Sequence, residues 1–324
     1  MVHLKKLLFI MNPYAGTRKA NKYLADILTV FNRADYTVTV HMTAGPGECE
    51  NATIRLAKAH DLVVCAGGDG TFSEMVNGLM HLGLDIPVGY IPCGSTNDFA
   101  NTLHLSKDPL QAAKDIVAGE PIRYDVGQFG SRYFTYVASF GAFTRTSYAT
   151  PQNVKNALGH AAYLLSGIQE LSQLHKEHIR IETEDQVIED DFLFGAICNS
   201  TSVGGVLTLD PKQVDMSDGK FELLLVRAPK DILEISECLT ALQTKKYNCA
   251  MVTFLSTSQL QITADPLMSW TLDGERGDGA ETITIKNLQH AIRVMTRSND
   301  VQHDSMLHYP GRSGLDAPSD EKEE

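Results

Sequence analysis

The sequence predicts an α/β domain followed by an all-β domain, on three observations. Continuous apolar runs such as Leu62-Val-Val-Cys-Ala66 suit strands buried on both faces. They alternate with stripes at helical spacing, clearest at Leu24, Ile27, Leu28, Phe31 and at Phe72, Met75, Val76, Leu79, Met80. Beyond Arg123-Tyr-Asp-Val-Gly127 the alternation stops, and short strand-like segments follow one another between hairpin turns. A β-α-β-α-β run implies a parallel sheet covered by helices, and a run of strands implies most simply a sandwich. At 324 residues the chain is long enough for two cores.

The elements follow in order. Residues 4–11 read as a first strand that ends at Asn12-Pro-Tyr-Ala-Gly16. After the first helical stripe comes a strand at 36–42, a loop at 43–47 and a helix at 51–60. The strand at 62–66 feeds Gly67-Gly-Asp-Gly-Thr71 and the second helical stripe. A strand at 86–91 ends at Pro92-Cys-Gly-Ser-Thr-Asn-Asp98, and a short helix spans 109–119. Strands are then expected at 132–140, 179–183, 192–199, 219–226, 251–255, 259–263, 269–272 and 282–286. Helical inserts fall at 154–174 and 230–244, and 291–296 is a last strand or a return to the first domain. The expected limits are 1–127 for the α/β domain, completed by about 288–310, and 128–297 for the sandwich. Residues 298–324 read as an acidic, disordered tail.

Composition narrows the function. The net charge of −12, from 28 basic and 40 acidic residues, argues against general nucleic-acid binding. It also argues against whole-protein attraction to anionic lipid, leaving a local basic face from Lys5, Lys6, Arg18, Lys19, Lys245 and Lys246. Six scattered cysteines without a C-x-x-C pair read as reduced cytosolic thiols. The apolar run at 7–11 is too short for a signal peptide or a membrane span, so a cytoplasmic protein with peripheral membrane contact is expected.

The glycine turn carries the chemistry. Free N–H groups and the helix dipole favour an anion where a strand turns into a helix. Asp69 suits such a site if Mg²⁺ lies between it and phosphates. The plainer reading is a glycine turn with a capping Asp. Asn12, Thr43, Asp69 and Asp98 all follow predicted strands and so converge on one sheet edge. No Walker A pattern stands at the first strand.

The motifs Asn12-Pro-x-x-Gly16, Gly67-Gly-Asp-Gly-Thr71 with Glu74-Met-Val-Asn-Gly78, Pro92-Cys-Gly-Ser-Thr-Asn-Asp98 and Leu272-Asp-Gly-Glu275 occur in this order. The set resembles the diacylglycerol kinase catalytic family, in its bacterial soluble, YegS-like branch. The resemblance implies an NAD kinase-like α/β domain, a C-terminal β-sandwich and an active site in the cleft between them. Asn12, Pro13, Tyr14, Ala15, Gly16, Thr43, Gly68, Asp69, Gly70, Thr71, Phe72, Ser73, Glu74 and Ser95 match the family's ATP-binding positions. Asp69, Asp98 and Asp125 match a carboxylate network for the catalytic Mg²⁺, and Glu275 matches the base. The loop from Asp215 to Lys220 resembles a structural Mg²⁺ loop, with the Asp218 side chain and the carbonyls of Asp215 and Lys220 as ligands. Two departures are Asp210-Pro211, for the family's Ala-Pro, and Ser217, for a second Asp. The implied function is ATP-dependent phosphorylation of a diacylglycerol-like lipid at the membrane surface; a homodimer is one of the assemblies open to the chain, whose oligomeric state the sequence does not set. The alternatives are an NAD kinase-like enzyme acting on a soluble nucleotide and a catalytically silent regulatory protein.

Overall fold

A computed structural model describes residues 4–16, 19–141, 175–203, 207–247 and 249–297. Arg18, the side chain of Lys19, the helix expected at 154–174 and the tail at 298–324 lie outside the described residues. Strands β1 (Lys5–Met11), β2 (Tyr36–Met42), β3 (Leu62–Gly67) and β4 (Pro87–Pro92) form a parallel sheet in the order β2-β1-β3-β4. Helices α1 (Lys19–Arg33) and α5 (Pro109–Ala118) cover one face. There Ala20, Ile27, Phe31, Ala113 and Ile116 pack on Leu7, Phe9, Val64 and Ile91. Helices α2 (Glu48–Leu56) and α3 (Asp69–Leu82) cover the other, on Leu8, Ile10, Val63 and Cys65. Burial on both faces is why β1 and β3 read as unbroken apolar runs. The short α4 (Asp98–Thr102) follows β4.

Helix α3 begins three residues earlier than its apolar stripe, which starts at Phe72. Gly68 is the N-cap, so Asp69, Gly70 and Thr71 form the first turn and carry its unpaired N–H groups.

The second unit is built from β5 (Glu120–Phe129), β6 (Arg132–Phe134), β7 (Val137–Gly141), β8 (Glu177–Thr183) and β9 (Val187–Cys198). It continues with β10 (Ser202–Val203), β11 (Leu207–Thr208), β12 (Phe221–Arg227), helix α6 (Ile232–Thr244), β13 (Val252–Thr257) and β14 (Gln259–Thr263). The last strands are β15 (Trp270–Leu272), β16 (Glu275–Gly277) and β17 (Thr282–Thr296). Trp270 anchors its core, with ring centroids 4.9 Å from Phe129 and 5.1 Å from Phe140.

The segments expected at 282–286 and 291–296 are one strand, β17. Its first half pairs antiparallel with β14, and Arg293 and Val294 pair parallel with Pro87 and Val88 of β4. Strand β5 runs antiparallel to it along both halves, with a bulge between Leu288 and Ile292. The charged residues at the start of β5 hide it from an apolar-run search; this stretch is an exposed edge.

The hairpin β15–β16 turns through Asp273 and Gly274, both at positive φ, as an Asp-Gly pair favours. Asp273 is buried, and its carboxylate accepts from Thr135 N (2.6 Å), Thr135 Oγ1 (2.9 Å), Tyr136 N (3.0 Å) and Val137 N (3.1 Å). Burial raises this carboxyl, and the four donors offset only part of the rise. Glu222 has no such set of donors. It is buried on β12, with one long contact from Ser256 Oγ (3.4 Å) and its Oε2 unpartnered. Burial, with Asp218 next, raises it to about 8.

Two outcomes follow. Asp273→Ala leaves buried donors unpaired and should cost about 3 kcal/mol in denaturant unfolding; a loss within experimental error would contradict the anchor. Glu222 holds a proton in the folded chain that the unfolded chain releases, so its contribution to stability is lost as pH rises from about 4.5 to about 8. Glu222→Gln, melted in chelator, should therefore gain on wild type across that window; a pH-independent difference would contradict this.

Candidate active site

The carboxyl ends of β1, β2, β3 and β4 meet at one edge, where an open sheet binds ligands. A cavity of about 470 Å³ lies there. It is lined by the expected Asn12, Tyr14, Ala15, Gly16, Thr43, Gly68, Gly70, Thr71 and Glu74, and also by Glu275. Gly94, whose N–H the sequence offers as a donor in the Pro92–Asp98 turn, lines it too, as do Ala44, Gly45, Pro46 and Cys49, which sequence reasoning did not assign. The signal for Ala44, Gly45 and Pro46 was present: a Gly/Pro loop after a strand at the same edge.

Two glycine turns form the floor. A Cβ on Gly94 would fall 2.6 Å from the Cα of Gly68, so the backbones meet without side chains between them. Asn97 fixes the second turn at φ 55°, accepting from Gly94 N at 2.8 Å and donating to Gly94 O at 2.9 Å. Asn12 turns its own loop by accepting from Tyr14 N at 2.9 Å. The unpaired N–H groups of α3 and the absence of side chains on the floor fit a polyphosphate.

Glu74 also supports the cavity wall, and the remaining predicted positions lie behind it or outside it. Glu74 accepts from Gly47 N (2.7 Å) and Cys49 N (3.0 Å), so its carboxylate props the 43–47 loop. Phe72 is buried in the core, its ring centroid 4.7 Å from Tyr90 and 4.4 Å from Phe99. Ser73 is buried and Ser95 is exposed, and neither lines the cavity. Pro13 contributes a carbonyl that Asn21 Nδ2 binds at 3.0 Å.

The carboxylates divide into two groups. Asp69 accepts from Phe99 N at 3.3 Å beside Asp98, which accepts from Ser202 Oγ at 2.6 Å across the domains. Burial, then the charge of Asp98, pushes Asp69 up to about 7. Burial also raises Asp98, and Asp273 adds to both. A mutually repelling pair of this kind suits a divalent cation. Among the described residues no three Asp, Glu, His or Cys side chains converge on a metal position. Mg²⁺ fits that arrangement, since it keeps waters and takes phosphate oxygens beside one or two carboxylates.

Asp125 is engaged by the backbone of the second domain. Its carboxylate accepts from Gly219 N at 2.7 Å and from His290 N at 2.8 Å, tying the 215–220 loop to the bulge of β17. That loop is held by its own bonds and by Asn287 of β17. Asp215 accepts from Ser217 N and Oγ, Asp218 accepts from Lys220 N at 2.9 Å, and the Lys220 carbonyl accepts from Asn287 Nδ2 at 2.9 Å. Lys5 and Lys6 open β1 near Asp61, at the sheet edge opposite the cavity.

Glu275 reaches the cavity from the second domain. A Cβ on Gly70 would lie 3.0 Å from Glu275 Oε1, so the carboxylate rests against the first turn of α3. Arg132 Nη2 stands 3.6 Å from its Oε2. Burial, then Glu74, raises the Glu275 carboxyl, and Arg132 opposes them.

Comparison with known proteins places this architecture. Residues 6–129 match the family model of the diacylglycerol kinase catalytic domain, and residues 137–296 that of the YegS C-terminal NAD kinase beta sandwich-like domain. A Bacillus subtilis (strain 168) protein named diacylglycerol kinase is 30% identical over 303 residues, covering 93% of this chain and 100% of its own. One of the same name from Staphylococcus saprophyticus is 30% identical over 305 residues, covering 94% and 99%. A solved Bacillus anthracis str. Sterne structure, described as a diacylglycerol kinase, superposes with a TM-score of 0.71 at 20% identity, over 93% of this chain and 100% of that one. The chain belongs to the diacylglycerol kinase family and is a kinase, built from an α/β domain and a β-sandwich-like domain.

Proposed function

We propose that the protein transfers the γ-phosphoryl group of ATP to the hydroxyl of a diacylglycerol-like lipid, giving phosphatidic acid or a related lipid phosphate. The observation that carries this reading is the position of Glu275 against the N-terminus of α3, a carboxylate of one domain facing the phosphate cradle of the other. The first-turn N–H groups of α3 bind and orient the triphosphate. Asp69, with Asp98 beside it, would hold Mg²⁺, which supplies charge neutralisation at the β- and γ-phosphates. Glu275 accepts the hydroxyl proton as that oxygen bonds to phosphorus; the bond to the bridging oxygen breaks, and ADP leaves. Among the described residues no helix is long and apolar enough to cross a membrane. The lipid is met at the bilayer surface.

The test is incubation with γ-labelled ATP, Mg²⁺ and a total lipid extract. Label in a phosphorylated diacylglycerol-like lipid is expected; label confined to soluble nucleotides would overturn the reading. Glu275→Gln should lower kcat about 10²- to 10⁴-fold with little change in KM for ATP. A loss explained by weaker ATP binding would make Glu275 a nucleotide-site residue instead. Asp69→Asn should nearly abolish turnover in a folded protein, and near wild-type kcat would remove it from the metal site. Glu275 works ionised and its carboxyl is raised by burial, so kcat should fall on acidification at a higher pH than for an ordinary glutamate; titration of kcat against pH reads this directly.

A further inference from the structure

The motif Glu74-Met-Val-Asn-Gly78 reaches beyond the phosphate turn. Asn77, buried on α3, makes a reciprocal pair with the backbone of Tyr133: its Nδ2 donates to Tyr133 O and its Oδ1 accepts from Tyr133 N, each at 2.9 Å. About one turn further along α3, His81 meets the Tyr133 ring edge-on at 5.4 Å, and its Nε2 lies 3.3 Å from Ser131 O. The residues on either side of Arg132 are therefore fastened to a helix of the other domain.

Arg132 itself reaches the Glu275 hairpin. Its Nη1 donates to Arg276 O at 2.7 Å, and its Nη2 stands 3.6 Å from Glu275 Oε2. The other charged groups acting on Glu275 are Glu74 from α3, Glu50 from α2 and Asp273 from its own hairpin, all negative. An ion pair this exposed adds little to stability. Its position, one fork arm on the backbone after Glu275 and the other at the carboxylate, is what matters.

We propose that Arg132 is a positioning residue: held to α3 through Asn77 and Tyr133, it keeps the Glu275 carboxylate ionised and set against Gly70 to receive the acceptor proton. The inference rests on the reading of Glu275 as the base. The proton that leaves the lipid hydroxyl goes to Glu275 alone. The pair thus becomes a neutral acid beside a cation, which then faces the newly formed phosphate monoester.

The test uses the full chain with MgATP and diacylglycerol in mixed micelles. Arg132→Ala should raise the acid limb of the kcat/KM profile by about one pH unit, hence roughly tenfold slower turnover below the limb. KM for ATP and the thermal unfolding midpoint should match wild type, since the side chain is partly exposed and lies on the acceptor side. Arg132→Lys should return the limb toward wild type. In a Glu275→Gln background, Arg132→Ala should add no further loss. An unmoved limb, a limb that Lys does not restore, or a double variant as slow as the product of the single effects would each overturn the role. If Glu275→Gln is impaired while Arg132→Ala is silent, the positioning role alone fails. If Glu275→Gln turns over like wild type, the reading of Glu275 as the base fails and this role with it.

Discussion

The buried carboxylate of Asp273 fixes where the rest of the site can be. Four donors from residues 135–137 hold it, so the β15–β16 hairpin sits in one place relative to β7. Glu275 follows two residues later and is carried to the first turn of α3. A solvated Asp in the same turn would leave that hairpin free to swing, because a short two-stranded ribbon has little stability of its own. The energy of a buried, fully satisfied polar group is thus converted into the placement of a neighbouring reactive one.

The two domains are not joined by a linker at this point. Strands β5 and β17 run through both, and the bulge at His290 marks the passage from one to the other. Asp125 grips the bulge and Gly219 together, which makes it a carboxylate of the junction. Asp98 and Ser202 add a second bond across the cleft, and Asn77 with Tyr133 a third. Of these, Asn77 lies on α3 and Asp98 opens α4 beside the first turn of α3. Helix α3 therefore does two things at once: its N-terminus offers the phosphate cradle, and its flank sets the distance to the domain that carries Glu275.

Much of this was legible in the chain because it is local. A strand buried on both faces is a continuous apolar run, and glycines where backbones touch are visible as glycines. Hence β1, β3, the glycine turn and the convergence of Asn12, Thr43 and Asp69 on one edge were all predictable. The Asp-Gly turn before Glu275 was predictable for the same reason. What stayed hidden depends on partners far along the chain. Asn77 meets a backbone 56 residues away, and Asp273 meets Thr135 across 138. Arg132 looked like any surface arginine until its hairpin was seen pinned beside Glu275. Phe72 and Ser73 follow the phosphate turn in sequence, yet helical geometry sends both inward, away from the cavity. Strand β5 escaped notice because its first half is an exposed edge whose charges mask the period.

The central claim is that one reaction centre is assembled from the N-terminus of α3 and the hairpin that ends at Glu275. A crystal structure with Mg²⁺ and a non-hydrolysable ATP analogue tests it most directly. The triphosphate should lie over the first turn of α3, with the metal on the Asp69 side and the terminal phosphate facing Glu275. A triphosphate seated away from α3, or one whose terminal phosphate points away from Glu275, would contradict the account.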